Sequence, residues 1–277
     1  MLEIPEAVTI ARQIGERLTG RHVASAVAGA SPHGFAWYHG DSAGYGELLA
    51  GRGVEGARAV GGMVEMVLEG AGLIFCDGAS PRYVAPGDKR PKKHQLLVEF
   101  DDGSALSCGV QMYGGMWAFR AGEFENGYYE TARKKPSPLT DEFTYDYFRE
   151  IASAADGKLS AKALLATEQR LPGLGNGVLQ DILFRAGIHP KRKVSTLTEA
   201  DVQKIYESVV HTLRAMTQAG GRDVEKDFFG SPGGYKTVLS RLTVGLPCPV
   251  CGETIVKEAY LGGAVYDCPV CQPLVTP

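Results

Sequence analysis

Two cysteine pairs, Cys248-Pro-Val-Cys251 and Cys268-Pro-Val-Cys271, stand near the C-terminal end with sixteen residues between them. A tetrahedral zinc ion takes four thiolates without strain when each pair sits on a tight knuckle. With all four positions filled by sulfur, no open site is left for water, so the expected ion is one structural zinc. Thr254–Tyr260 and Ala264–Tyr266 read as short strands, and Gly262-Gly263 between them suits a hairpin turn. Two disulfides in an exported protein would use the same residues. However, Met1-Leu2-Glu3-Ile4-Pro5-Glu6 has no basic stretch, no apolar run follows it, and no later segment reaches transmembrane length. Cys76 and Cys108 lie in strand-like surroundings and read as buried free thiols. A reducing cytoplasm is the expected setting, with no membrane partner.

A second pattern is Leu171-Pro-Gly-Leu-Gly-Asn-Gly-Val178, which leads into a helical run ending at Gly187-Ile188-His189-Pro190. A glycine-rich turn that presents N–H groups at a helix start can bind phosphate. An ordinary helix–turn–helix packing unit reads the same way. At the other end of the chain, Glu3 precedes a helix expected from Pro5 to Leu18. Its carboxyl can form an acid/base pair with a nearby amine, or can simply complement the helix dipole.

The elements that must position these residues fall into regions. In the first helix, Ala7, Ile10, Ala11, Ile14 and Leu18 recur at spacings of three and four. From His22 to Arg120 the pattern changes to short runs, Met63–Leu68, Leu73–Cys76, Gln95–Phe100 and Ala105–Met112, punctuated by Gly, Asp and Pro. An α+β protein is expected. Residues 1–130 should form an antiparallel β-sandwich with a leading helix, 131–140 a linker, 141–235 a helical domain and 236–277 the zinc hairpin. The 277 residues carry a formal net charge of -3, which excludes a protein that grips nucleic acid by bulk charge. Residues 1–149 hold 15 Lys/Arg against 19 Asp/Glu, and residues 150–277 hold 14 against 13. Any anion-binding surface is therefore local.

Taken with the cysteine hairpin, the 171–190 segment resembles the helix–two-turns–helix motif of the formamidopyrimidine-DNA glycosylase / endonuclease VIII family. Glu3-Ile4-Pro5-Glu6, Pro138-Leu139-Thr140-Asp141-Glu142-Phe143 and Gly233-Gly234-Tyr235 resemble further signatures of that family. The resemblance implies a two-domain, monomeric protein that clamps and bends damaged duplex DNA, flips out a base and cleaves its glycosidic bond, bound to the nucleoid when on DNA. It also implies phosphate contacts for Lys162, Asn176 and Tyr235, and an acid role for Glu3 in opening the sugar ring.

The catalytic positions depart from the family pattern. Leu2 stands where the family has its nucleophilic N-terminal proline, and a bulky second residue should keep Met1 in place. Gly61 stands where a lysine contacts the reacting sugar-phosphate, and Gly263 where an arginine grips the phosphates flanking the lesion. Of the void-filling residues, Gly78 replaces Met and Met112 replaces Arg, while Tyr113 replaces Phe and keeps the wedge character. Each lost charge contact costs about 2–4 kcal/mol of transition-state stabilisation, by analogy with oxyanion donors. The expected function is therefore binding of damaged, abasic or distorted duplex, with proline-based chemistry lost. The alternative is an atypical glycosylase or abasic-site lyase that uses Glu3 with the Met1 amine, or a lysine such as Lys89, Lys92 or Lys93 from the basic run 88–94. A third reading makes the zinc hairpin a protein-interaction module.

Overall fold

The computed structural model describes residues 1–275. The chain divides into two compact units, Met1–Glu130 with Glu225–Pro232, and Thr131–Val224 with the rest of the chain from Gly233.

In the first unit, helix α1 (Ile4–Leu18) starts with Pro5 in its first turn, where a missing N–H costs nothing. Its apolar stripe of Ala7, Ile10, Ala11, Ile14 and Leu18 is buried. The sheet comprises β1 (Val23–Ala28), β2 (Ala36–Tyr38), β3 (Val54–Val60), β4 (Met63–Leu68), β5 (Ala71–Val84), β6 (Leu96–Phe100) and β7 (Ala105–Arg120), with a short helix α2 (Tyr45–Leu49) between β2 and β3. Strand order is β1-β6-β7-β5-β4-β3. Every pairing is antiparallel except that of β2, which lies parallel on β7 with Trp37 opposite Gly115. One hydrophobic core draws side chains from α1, α2 and strands β1 and β3 to β7. Burying a side chain such as Ile10 or Leu73 there contributes about 1.5–3 kcal/mol before the entropy of ordering it is counted.

The long strands β5 and β7 serve both halves of the sheet, so each must bend in the middle. The register slips between Asp77 and Ala79, and Asp77 and Met112 both take left-handed backbone angles. A bulge of this kind bends a strand and re-aims its side chains. Gly78 makes the bend possible, because a Cβ there would lie 1.9 Å from the Gln111 carbonyl oxygen. The β3–β4 connection is a two-residue hairpin, Gly61-Gly62, in which Gly61 has a φ of 57°. A glycine is the residue best suited to that conformation.

The Glu225–Pro232 segment is built into this unit through Phe228, which is fully buried in the core. Gln13 clamps it: its Nε2 donates to Asp227 at 2.9 Å and its Oε1 accepts the Phe228 N–H at 2.9 Å. The Phe228 carbonyl accepts the Tyr83 N–H at 2.8 Å.

Along the chain, α3 (Gly127–Lys134) occupies part of the stretch expected to be linker and stops before Pro136. The second unit then contains α4 (Tyr145–Ala154), α5 (Ala161–Ala166), α6 (Val178–Ala186) and α7 (Glu199–Gln218), followed by the hairpin β8 (Val256–Tyr260) and β9 (Gly263–Asp267). The helix starts are capped from sequence: Thr144 takes the Tyr147 N–H, Ser160 that of Ala163, and Thr198 with Asp201 forms a capping box. Helix α6 ends at Gly187, left-handed with a φ of 69°, the usual glycine stop. Contrary to the sequence expectation, the β8–β9 turn is Leu261-Gly262, with φ values of 47° and 70°, and Gly263 is already paired with Tyr260. A two-residue turn matching the strand twist needs positive φ at both central positions. Among the described residues no helix is long and apolar enough to cross a membrane.

Gly78→Ala forces a Cβ into a backbone carbonyl that cannot swing away. It is expected to destabilise the protein by more than about 3 kcal/mol, measured by the urea midpoint, whereas Gly44→Ala, in open space with a φ of -78°, should change stability by about 1 kcal/mol or less.

Candidate functional site

Three of the positions singled out by sequence meet in the second unit. Lys162, on α5, is only 4% exposed, and its ammonium donates to the Tyr260 carbonyl at 2.6 Å. Desolvation by burial lowers its pKa. Asn176, in the turn before α6, donates from Nδ2 to the Ala264 carbonyl at 2.9 Å, while its buried Oδ1 has no hydrogen-bond partner among the described residues. Both face Gly263, where a Cβ would lie 3.4 Å from Asn176 Oδ1 and from Lys162 Nζ. With glycine where the resemblance places an arginine, the cation and the open acceptor come so close to the turn that a Cβ would already touch both. Gln180, which the sequence did not point to, joins the two elements: Nε2 donates to the Asn176 and Ala264 carbonyls, and Oε1 accepts the Tyr266 N–H at 3.0 Å.

Tyr235 lies elsewhere in the same unit. Its hydroxyl hydrogen-bonds the Asp181 carboxyl, and burial first, with the Asp181 charge second, raises its pKa. Asp181 also accepts the N–H groups of Val238 and Leu239 at 2.9 and 2.8 Å. One buried carboxyl on α6 therefore fixes both Tyr235 and the segment leading to the cysteine hairpin. Its type gave no signal in sequence, because its partners lie more than fifty residues away.

The four thiols of Cys248, Cys251, Cys268 and Cys271 lie within 4.8 Å of one another. The Cys248–Cys271 and Cys251–Cys268 sulfurs are 3.8 and 3.4 Å apart. A tetrahedral ion with bonds of about 2.3 Å to sulfur sets neighbouring sulfurs about 3.8 Å apart, so the four donors fit a metal ion. Gln272 fastens this knuckle to α6, accepting the Cys268 N–H and donating to the Ile188 carbonyl. His189, Glu258 and Asp267 also approach one another within 4.8 Å, but two of the three are already engaged by Lys191. His189 Nδ1 accepts the Lys191 N–H, so the neutral ring carries its proton on Nε2 and turns a donor, not a lone pair, toward Asp267 at 3.7 Å. Lys191 occupies Glu258. Cys76 and Cys108 are buried free thiols, and burial pushes Cys108 up to about 12.

In the first unit the N-terminus enters a cluster of acids. The Met1 ammonium pairs with Glu225 at 2.7 Å, and the Leu2 N–H donates to the Asp77 carbonyl at 2.6 Å. Glu3 is 6% exposed at the start of α1, and its side chain does not cap the helix. Burial raises the Asp77 carboxyl, countered by the N-terminal charge. Tyr113 is raised by burial and then by the charges of Asp77 and Glu3, which places Glu3, Asp77 and Tyr113 in one neighbourhood. Asp77 and Glu225 come from distant parts of the chain, and nothing in their sequence context marked them. In the basic run, Arg90 turns inward to Glu99 and to backbone carbonyls, while Lys89, Lys92 and Lys93 remain exposed.

A bent antiparallel sheet with a leading helix, a helical unit with a glycine-rich turn, and a four-cysteine hairpin together define a two-unit glycosylase-like architecture. Residues 135–227 match the family model described as the formamidopyrimidine-DNA glycosylase H2TH domain. The formamidopyrimidine-DNA glycosylase of Oceanobacillus iheyensis is 30% identical over 194 residues, 68% of each chain. That of Bacillus cereus strain ATCC 10987 is 27% identical over 282 aligned positions, covering 99% of this chain and 100% of its own. The chain belongs to the formamidopyrimidine-DNA glycosylase family. The fold agrees with the MutM (Fpg) protein of Thermus thermophilus, with a TM-score of 0.82, 23% identity, and 99% and 100% of the two chains covered. It agrees equally with Lactococcus lactis Fpg in complex with DNA containing an abasic site, with a TM-score of 0.83, 23% identity, and 98% and 99% covered.

Lys162→Met keeps the apolar stem but strips the Tyr260 carbonyl of its donor. It is expected to destabilise the protein by about 1–3 kcal/mol, read as a fall in Tm, whereas a lysine acting only as a solvent-facing phosphate contact would change Tm by almost nothing.

Proposed function

We propose that this chain is a DNA-binding protein of the base-excision-repair type, which recognises damaged, abasic or distorted duplex and has given up proline-based glycosylase and lyase chemistry. The observation that carries this reading is the state of position 2. Leu2 cannot supply the secondary amine that the family resemblance places there, and with Met1 before it its N–H donates to the Asp77 carbonyl. The amine lies one residue earlier, in an ion pair with Glu225. The glycine at position 61 forms a left-handed turn, where a lysine would be strained. By contrast, the groups assigned to binding remain assembled: Lys162 and Asn176 with the hairpin, Tyr235 with Asp181, and the four thiols. In this reading 1–130 is a glycosylase-like domain, 131–140 a linker, 141–235 the helix–two-turns–helix DNA-binding domain and 236–277 a zinc hairpin. The protein acts as a monomer on nucleoid DNA in the cytoplasm.

A second reading rests on the acids gathered around the amine. Glu3, Asp77 and Glu225 could pass protons to and from Met1 during Schiff-base chemistry on a preformed abasic site.

Borohydride trapping on a labelled abasic duplex separates the two readings. The expected result is tight complex with no covalent adduct. An adduct that disappears when the Met1 amine is blocked, and weakens in Glu3→Gln, would establish the lyase instead. For the metal, one zinc per chain is expected on denaturation with a chromogenic chelator present. Stripping it should unfold the hairpin, lower Tm and abolish duplex binding.

A further inference from the structure

The first unit exposes a set of large hydrophobic side chains, three of them aromatic, that the core does not use. Phe35 is 64% exposed, Trp37 42%, Met112 72% and Tyr113 36%. Phe35 lies in the turn closed by the Ala36 N–H on the His33 carbonyl at 3.1 Å, directly before β2, which carries Trp37. The Trp37 ring lies 5.5 Å from that of Tyr113, with 31° between the planes. The arrangement is held by backbone: the Phe35 carbonyl accepts the Gly114 N–H at 3.0 Å, and Trp37 lies opposite Gly115 on β7.

A basic loop is fastened beside this patch. Ser31 N–H donates to the His94 carbonyl at 3.1 Å, and the Ser31 hydroxyl accepts the His94 N–H at 3.1 Å. The Tyr38 hydroxyl donates to the Gln95 carbonyl at 3.0 Å. These bonds tie both ends of the 31–38 segment to the end of the 88–94 run. Lys92 and Lys93 are therefore carried next to the loop that bears Phe35 and Trp37. Arg90 is spent on fixing the loop, through Glu99 and the Gly103 carbonyl, which leaves the lysines for solvent.

Exposed aromatic rings cost solubility and contribute nothing to this core, so their clustering marks a contact surface. Rings beside flexible cations match one chemistry closely: a single nucleic-acid strand whose bases stack on the rings while its phosphates meet the lysines. Duplex DNA does not satisfy the patch, because its base faces are already stacked. We infer that the 31–38 segment, with Lys92 and Lys93, is a single-strand binding surface, which makes DNA with a run of unpaired bases, such as a bubble or a gap, the substrate class of this protein. This rests on the DNA-binding reading above and names what that reading leaves open.

The test is fluorescence anisotropy of the full chain with three labelled probes at matched salt: an oligothymidylate, an intact duplex, and the same duplex with a central run of unpaired thymines. The bubble is expected to bind at least tenfold more tightly than the intact duplex, and oligothymidylate should quench the Trp37 emission. Phe35→Leu with Trp37→Leu should weaken oligothymidylate and bubble binding by on the order of tenfold or more, leave intact-duplex affinity within about twofold, and remain folded by circular dichroism. Phe35→Tyr with Trp37→Phe should retain binding. Lys92→Gln with Lys93→Gln, a surface change that leaves folding intact, should reduce the salt slope for oligothymidylate by about 1.4. Equal affinity for bubble and intact duplex, or oligothymidylate binding unchanged in both the leucine and the glutamine variants, would overturn the inference while leaving duplex recognition in place. Failure to bind any probe would overturn both.

Discussion

The close backbone approach at Gly78 is the constraint on which the first unit depends. Two long strands can serve both halves of the sheet only if both bend at the same height, and there the chain comes so close to the Gln111 and Tyr113 carbonyls that no side chain fits. The bend places the Asp77 carbonyl to receive the Leu2 N–H and turns Tyr113 outward beside Trp37. The N-terminal centre and the aromatic patch therefore follow from one steric fact. The same glycine removes a side chain that the family resemblance would place at that position.

In the second unit the ordering agent is polar. Lys162, Asn176 and Gln180 all reach carbonyls or N–H groups of the β8–β9 hairpin, and Asp181 holds the segment before it. Hydrogen bonds to charged groups in part-buried settings are each worth about 1.5–3 kcal/mol, so a hairpin whose apolar cluster is only Leu239, Cys248, Ile255 and Cys268 is held by its neighbours as well as by its thiols. Residues read from sequence as DNA contacts thus also serve as struts. The two roles are compatible, since an ammonium has three donors and Tyr260 takes one.

The contrast between the two units bears on mechanism. Groups that hold a backbone phosphate need charge and position, and Lys162, Asn176 and Tyr235, proposed for that role, are each held in place by the second unit. Attack on an anomeric carbon needs an unencumbered amine and cations around the developing charge. Here the amine is paired with Glu225, and the cation positions 61 and 263 are glycines. In the reading proposed above, the absence of those groups lowers transition-state stabilisation while the frame proposed to bind DNA stays assembled.

The local features were legible in the sequence. The stripe of α1, the β4 run, the Gly187 helix stop and the four-cysteine spacing each depend on residues a few positions apart, and periodicity or turn chemistry reports them directly. The β8–β9 turn was read one residue late, because Leu261 gives no sign that it will take a left-handed angle. Asp77, Glu225, Gln13 and Asp181 gave no signal at all, since each acquires its partner from a residue far along the chain, and residue type alone does not encode such pairings. Sequence by itself determined the leading helix, the main strand runs and the four-thiol set, and it put leucine where the family resemblance has its nucleophilic proline. Only the tertiary structure decided that the amine meets Glu225, that Lys162 and Asn176 converge on Gly263, and that aromatic and basic segments lie side by side, because these depend on long-range packing and strand register rather than on local conformational preference.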